Sequence, residues 1–205
     1  MTNNSKGIYL VGGFGRNRLI LDKVEYVSLD TKLVDELPPM PGQVYSPAVC
    51  YFRDRLVVIK SQIWVYDPDM KSWSILNLFK LPKHIEFNRA LVHENHIYLT
   101  GNHAYELYRF DPDEIQPYNN ETIEQEEEDE RVELELIGKF SYEAQNVCLV
   151  GSTIYNFSTD QFEYNSTIET FDISTKSFNV LWEKETDEFD FSPYHSSGCF
   201  SLVIY

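Results

Sequence analysis

The sequence predicts an all-β fold of four tandem units, each made of short antiparallel strands, closed by the last strand of the chain. Three observations lead there. Aromatic residues make up 15% of the 205 residues, with 14 Tyr and 13 Phe, and no stretch of ten or more residues carries a helical period. One hairpin pattern recurs four times. Finally, the chain starts on the second strand of that pattern and ends on a segment that reads as a first strand.

The clearest copy of the hairpin is Ile63–Trp73. Ile63-Trp64-Val65-Tyr66 is β-branched and aromatic, so it reads as a strand. Asp67-Pro68 ends it, because proline has no N–H for a ladder and its fixed φ suits a turn. Trp73 opens the return strand, ten residues after Ile63. Val24 leads likewise to Val34, and Ile168 to Phe178. Leu107–Pro112 repeats the first half, with its return strand delayed. These anchors begin at 24, 63, 107 and 168, so the last interval is the longest, and it contains an acidic insertion at about 114–131.

A second strand precedes each anchor: Gly7–Gly13, Arg55–Ile59, His96–Gly101 and Thr153–Phe157. A first strand precedes three of these: Pro47–Tyr51, Arg89–His93 and Asn146–Val150, joined through polar turns such as Arg53-Asp54 and Glu94-Asn95. The units fall at about 7–43, 44–82, 83–139 and 140–182, after a disordered N-terminus, 1–6. The first unit lacks a first strand, and 197–205 is expected to supply it, closing the ring and hiding the terminal faces.

Gly12-Gly13, Tyr66-Asp67-Pro68, Trp73 and Leu37-Pro38-Pro39-Met40-Pro41 together resemble the kelch repeat, over about residues 7 to 205. Val34 and Phe178 stand in for the tryptophan in two other units. The resemblance implies a β-propeller of about four four-stranded antiparallel kelch blades. It is most like the kelch half of BTB-kelch proteins, without their BTB and BACK parts. Propellers of that kind bind partner proteins, many for delivery to cullin ubiquitin ligases and others in association with actin. Family propellers usually carry six blades, against four units counted here.

The formal charge of −16 and a pI near 4.6 argue against nucleic acid and anionic membranes as partners, since both need clustered cations. Glu124–Glu130 holds six carboxylates in seven residues and reads as a solvated loop. The N-terminus has no secretory signal pattern, so Cys50, Cys148 and Cys199 are expected to be reduced thiols of a cytoplasmic protein. All three fall on first strands and are expected to be small buried side chains. Gly12-Gly13-Phe14-Gly15 precedes strand-like Leu19–Leu29 and no helix, so it reads as a tight turn and not a phosphate loop. His93 and His96 flank a hairpin turn and are expected to be turn residues, with no metal or other cofactor.

The expected function is therefore a non-enzymatic module that binds a protein partner through one rim of loops. Those loops carry Arg16, Arg18, Tyr45, Lys83, His84, His103, Tyr142, Tyr164, Tyr194 and His195, types that dominate interface energetics. Cationic loops on an acidic chain suggest a partner segment of acidic character. Two rivals stand beside this reading: a propeller enzyme of the mutarotase or oxidase kind, and a truncated kelch-like fragment.

Overall fold

Strand and turn alternate as the residue types require in a computed structural model, which describes residues 7–76, 79–101, 104–110, 132–144, 146–159 and 165–185. In chain order the strands are β1 (Gly7–Val11), β2 (Val24–Ser28), β3 (Val34–Leu37), β4 (Ala48–Phe52), β5 (Arg55–Ile59), β6 (Ile63–Asp67), β7 (Ser72–Leu76) and β8 (Phe79–Lys80). They continue as β9 (Phe87–His93), β10 (His96–Gly101), β11 (Glu106–Phe110), β12 (Val132–Glu133), β13 (Glu135–Lys139), β14 (Asn146–Val150), β15 (Thr153–Thr159), β16 (Asn165–Asp172) and β17 (Ser177–Glu185). The only helical element among the described residues is a three-residue 3-10 turn, Arg16–Arg18. None of those residues forms a helix long and apolar enough to cross a membrane.

The strands form four antiparallel meanders: β1-β2-β3, β4-β5-β6-β7, β9-β10-β11-β13 and β14-β15-β16-β17. This all-β arrangement is compatible with a β-propeller. Among the described residues the first meander has three strands. The segment expected to complete it, 197–205, lies outside the described residues, as do 1–6 and the acidic insertion at 114–131. A short parallel pair, β8 with β12, was not foreshadowed by the repeat pattern.

Three of the hairpins pair their anchor residues in the same register. Val34 pairs with Val27, Trp73 with Tyr66 and Phe178 with Phe171, always as the second residue of the return strand or the first. The hairpin turns share a device that the repeat comparison overlooked. Asp67 Oδ1 accepts from the N–H groups of Asp69 at 3.0 Å and Met70 at 3.1 Å. Asp172 Oδ1 does the same with Ser174 at 2.8 Å and Thr175 at 2.9 Å. Ser28 Oγ accepts from Thr31 N–H at 3.2 Å. Four residues after each of these side chains comes a lysine with positive φ: Lys32, Lys71 and Lys176. A short side-chain acceptor thus replaces the backbone partner that a chain reversal removes.

The N–H donors of Thr175 and Ser174 hold the Asp172 carboxyl below its ordinary value. A lowered folded-state value means a contribution to stability that is present above the pH where the unfolded chain ionises. It is lost as pH falls through the folded value. Wild type is expected to exceed Asp172→Asn in stability at neutral pH, with the difference shrinking below about pH 4. Urea melts at a series of pH values check this, and a pH-independent difference would count against it.

The chain divides into two compact units, whose described residues are 7–76 and 79–185. In the first, Val24, Leu56, Val58 and Trp64 form a core with Met40 and Val44 from the segment joining the two sheets. In the second, Tyr98, Leu107, Phe140, Ala144, Ile154 and Phe171 do the equivalent. Trp73 lies between the sheets of the first unit. Its Nε1–H donates to Pro38 O at 2.8 Å and its ring meets Tyr66 at 5.1 Å.

One expectation about the thiols is corrected. Cys50 is buried, but Cys148 is exposed. Residues of β4 are buried on both faces, whereas on β14 only Val147 and Leu149 turn inward, leaving Asn146, Cys148 and Val150 outward. Cys199 lies outside the described residues.

Candidate functional site

The loop between β1 and β2 is built by its glycines. Gly12 and Gly13 have φ of 62° and 94°, a conformation that side chains rarely adopt. At Gly12 an added Cβ would also lie 2.4 Å from Val44 O. The turn lets Gly13 N–H reach Val44 O at 2.8 Å and Leu21 N–H reach Gly13 O at 3.0 Å. Beyond it the chain doubles back: Phe14 bridges Ile20, and Gly15 N–H donates to Leu19 O at 2.8 Å. Arg16–Arg18 form the tip. Leu19–Leu29 is therefore only partly strand, because Asn17 and Arg18 adopt φ of 63° and 60° and reverse the chain before Val24.

Arg16 and Arg18 are exposed on this tip, and neither has an ion-pair partner among the described residues. Phe14 is 61% exposed and Tyr45 39% exposed, yet their rings stack with centroids 5.3 Å apart. Lys60 Nζ sits 4.9 Å from the centre of the Tyr45 ring, a cation–π geometry. Three segments distant in sequence thus present rings and cations together: 14–18, Tyr45 and Lys60. Phe14 and Lys60 were not among the expected site residues. Phe14 could have been found as a large apolar residue between glycines in a polar loop. Lys60 had no such signal, since it only follows a strand.

In the second unit, Lys83 and His84 are exposed on a turn closed by Ile85 N–H on Pro82 O at 3.3 Å. The turn is seated against Gly101, where an added Cβ would meet Ile85 Cγ2 at 2.5 Å and Glu86 O at 2.7 Å. Tyr142 is half-buried and engaged on several sides. Its N–H donates to Glu169 Oε2 at 3.0 Å and its hydroxyl to Glu183 Oε1. His103, Tyr164, Tyr194 and His195 lie outside the described residues.

Beneath Tyr142 lies a polar cluster that repeat alignment alone did not flag. Glu169, 3% exposed, accepts from Ser141 N–H at 2.7 Å as well as from Tyr142 N–H. Asn156, paired with Glu169 across the strands, donates from Nδ2 to Tyr142 O at 3.3 Å and Glu143 O at 3.4 Å. The corresponding cross-strand pair in the second meander is Val58 with Trp64. There the Trp64 ring lies 3.1 Å from where a Cβ on Gly42 would be. Two chemistries therefore fix equivalent loops, an indole against glycine in one unit and a carboxylate on backbone N–H groups in the other.

Burial pushes the Cys50 thiol above its ordinary value, the reverse of an activated thiolate. No group of three or more metal-ligating side chains occurs among the described residues. No protein-family model matches this chain, and no curated protein matches it.

Proposed function

We propose that the chain is a kelch-type β-propeller, its ring closed by 197–205, that binds a partner protein through the loops at one rim and performs no catalysis. Its place is the cytoplasm, and by resemblance its role is that of a recognition module, as in cullin ligase adaptors or actin-associated propellers. One observation carries the reading: two exposed arginines without ion-pair partners among the described residues share a loop with Phe14, whose ring belongs to a solvent-facing aromatic stack, on a chain of net charge −16. Such cations are free to meet an acidic segment through opposite charge at the contact. Lys83 and His84 are exposed on a turn of the second unit.

Affinity purification from cells, with wild type beside Arg16→Ala/Arg18→Ala, tests the role. Proteins retained by wild type should fall at least about tenfold in yield with the double variant. Equal recovery of the same proteins would overturn the assignment of the rim. The melting temperature of the double variant should equal that of wild type, since both side chains are exposed.

A further inference from the structure

We infer that the segment taken by the first unit is not merely acidic: it joins carboxylates to a bulky apolar side chain. The inference rests on the binding role proposed above and specifies its partner. Arg16 and Arg18 stand two and four residues from Phe14, on the same short extension. Phe14 and Tyr45 stack while the two residues stay 61% and 39% exposed, and Lys60 lies over the Tyr45 ring.

Each simpler occupant leaves part of this surface unsatisfied. A purely acidic segment would meet the arginines, but exposed ion pairs contribute little and the rings would stay wet. A purely apolar segment would cover the rings while drawing water away from two unpaired guanidinium groups, which is costly. A segment with an apolar or aromatic residue flanked by glutamates or aspartates covers the stack and pairs both arginines at once. Rings that already stack, on a loop held to Val44 through the Gly12-Gly13 turn, lose little freedom on binding. Charge complementarity fixes the sign of the flanks, since Arg16, Arg18 and Lys60 are all cations.

The test uses three fluorescein-labelled octapeptides and fluorescence anisotropy at about 0.15 M salt. The first has Trp-Leu between runs of glutamate. The second replaces Trp-Leu by Ser-Ser. The third keeps Trp-Leu and replaces every glutamate by lysine. The first should bind at least about tenfold more tightly than either of the others. Phe14→Ser, and separately Arg16→Ala/Arg18→Ala, should each remove that advantage without moving the melting temperature. Equal affinity for the first and second peptides, or full retention by Phe14→Ser, overturns the apolar half and leaves the binding role standing. Failure of all three peptides, with cellular partners still captured through Arg16 and Arg18, overturns this inference alone. Loss of that capture dependence overturns the underlying role. Binding to phosphatidylserine vesicles in place of the first peptide also overturns the inference.

Discussion

Trp73→Ala is expected to lower the free energy of unfolding by about 3 kcal/mol, the lower end for a large aromatic truncated in a core. Trp73 is only half-buried, but it joins two sheets. Its ring packs against Tyr66 and the core of the first unit, and its N–H reaches Pro38 O in the segment after β3. Trp73→Phe keeps most of the packing and loses the hydrogen bond, so a cost of about 1 kcal/mol is expected. Val34→Ala, at the equivalent but exposed position, should change stability by less than about 0.5 kcal/mol. Urea denaturation of the three variants measures the series. A Trp73→Ala protein as stable as wild type would remove the tryptophan from its packing role.

Glu169→Ala should cost about 3 kcal/mol, because the N–H groups of Ser141 and Tyr142 would lose their acceptor in a buried place. Glu169→Gln retains one carbonyl oxygen but turns an amide donor toward the other N–H, and about half that cost is expected. Amide hydrogen exchange discriminates this local role from a general loss of packing. Exchange at Ser141 and Tyr142 should accelerate in Glu169→Gln well before the strands of the sheet do. Unchanged protection at those two amides would show that the carboxylate does not fix the loop. The same result would detach Tyr142 from Glu169 and leave its position to the Glu183 contact.

How far the sequence could be read depended on whether its signal was periodic or spatial. The hairpin anchored on Ile63–Trp73 was legible because strand, Asp-Pro stop and return strand are local, and the strand spacing recurs with Val24–Val34 and Ile168–Phe178. The Gly12-Gly13 turn was legible for the same reason, since only glycine fits its φ values cheaply. Cys148 was misjudged because position in a repeat gives the strand but not how many of its faces are covered. Glu169 was passed over because a carboxylate within a strand signals nothing until its acceptor role is seen. Its partners, Ser141 and Tyr142, are 28 and 27 residues away.

By itself, then, the sequence determined the order of the strands within each antiparallel meander and the delayed return strand of the third unit. Each of these follows from side-chain period and turn chemistry over about ten residues. Only the tertiary structure decided which exposed residues meet. Phe14, Tyr45 and Lys60 lie on three segments whose encounter depends on how successive sheets are joined, through Gly13 and Leu21 on Val44. Hydrophobic burial selects the faces of a strand from local pattern, but the neighbours of a loop side chain are set by long-range packing that leaves no period in the chain.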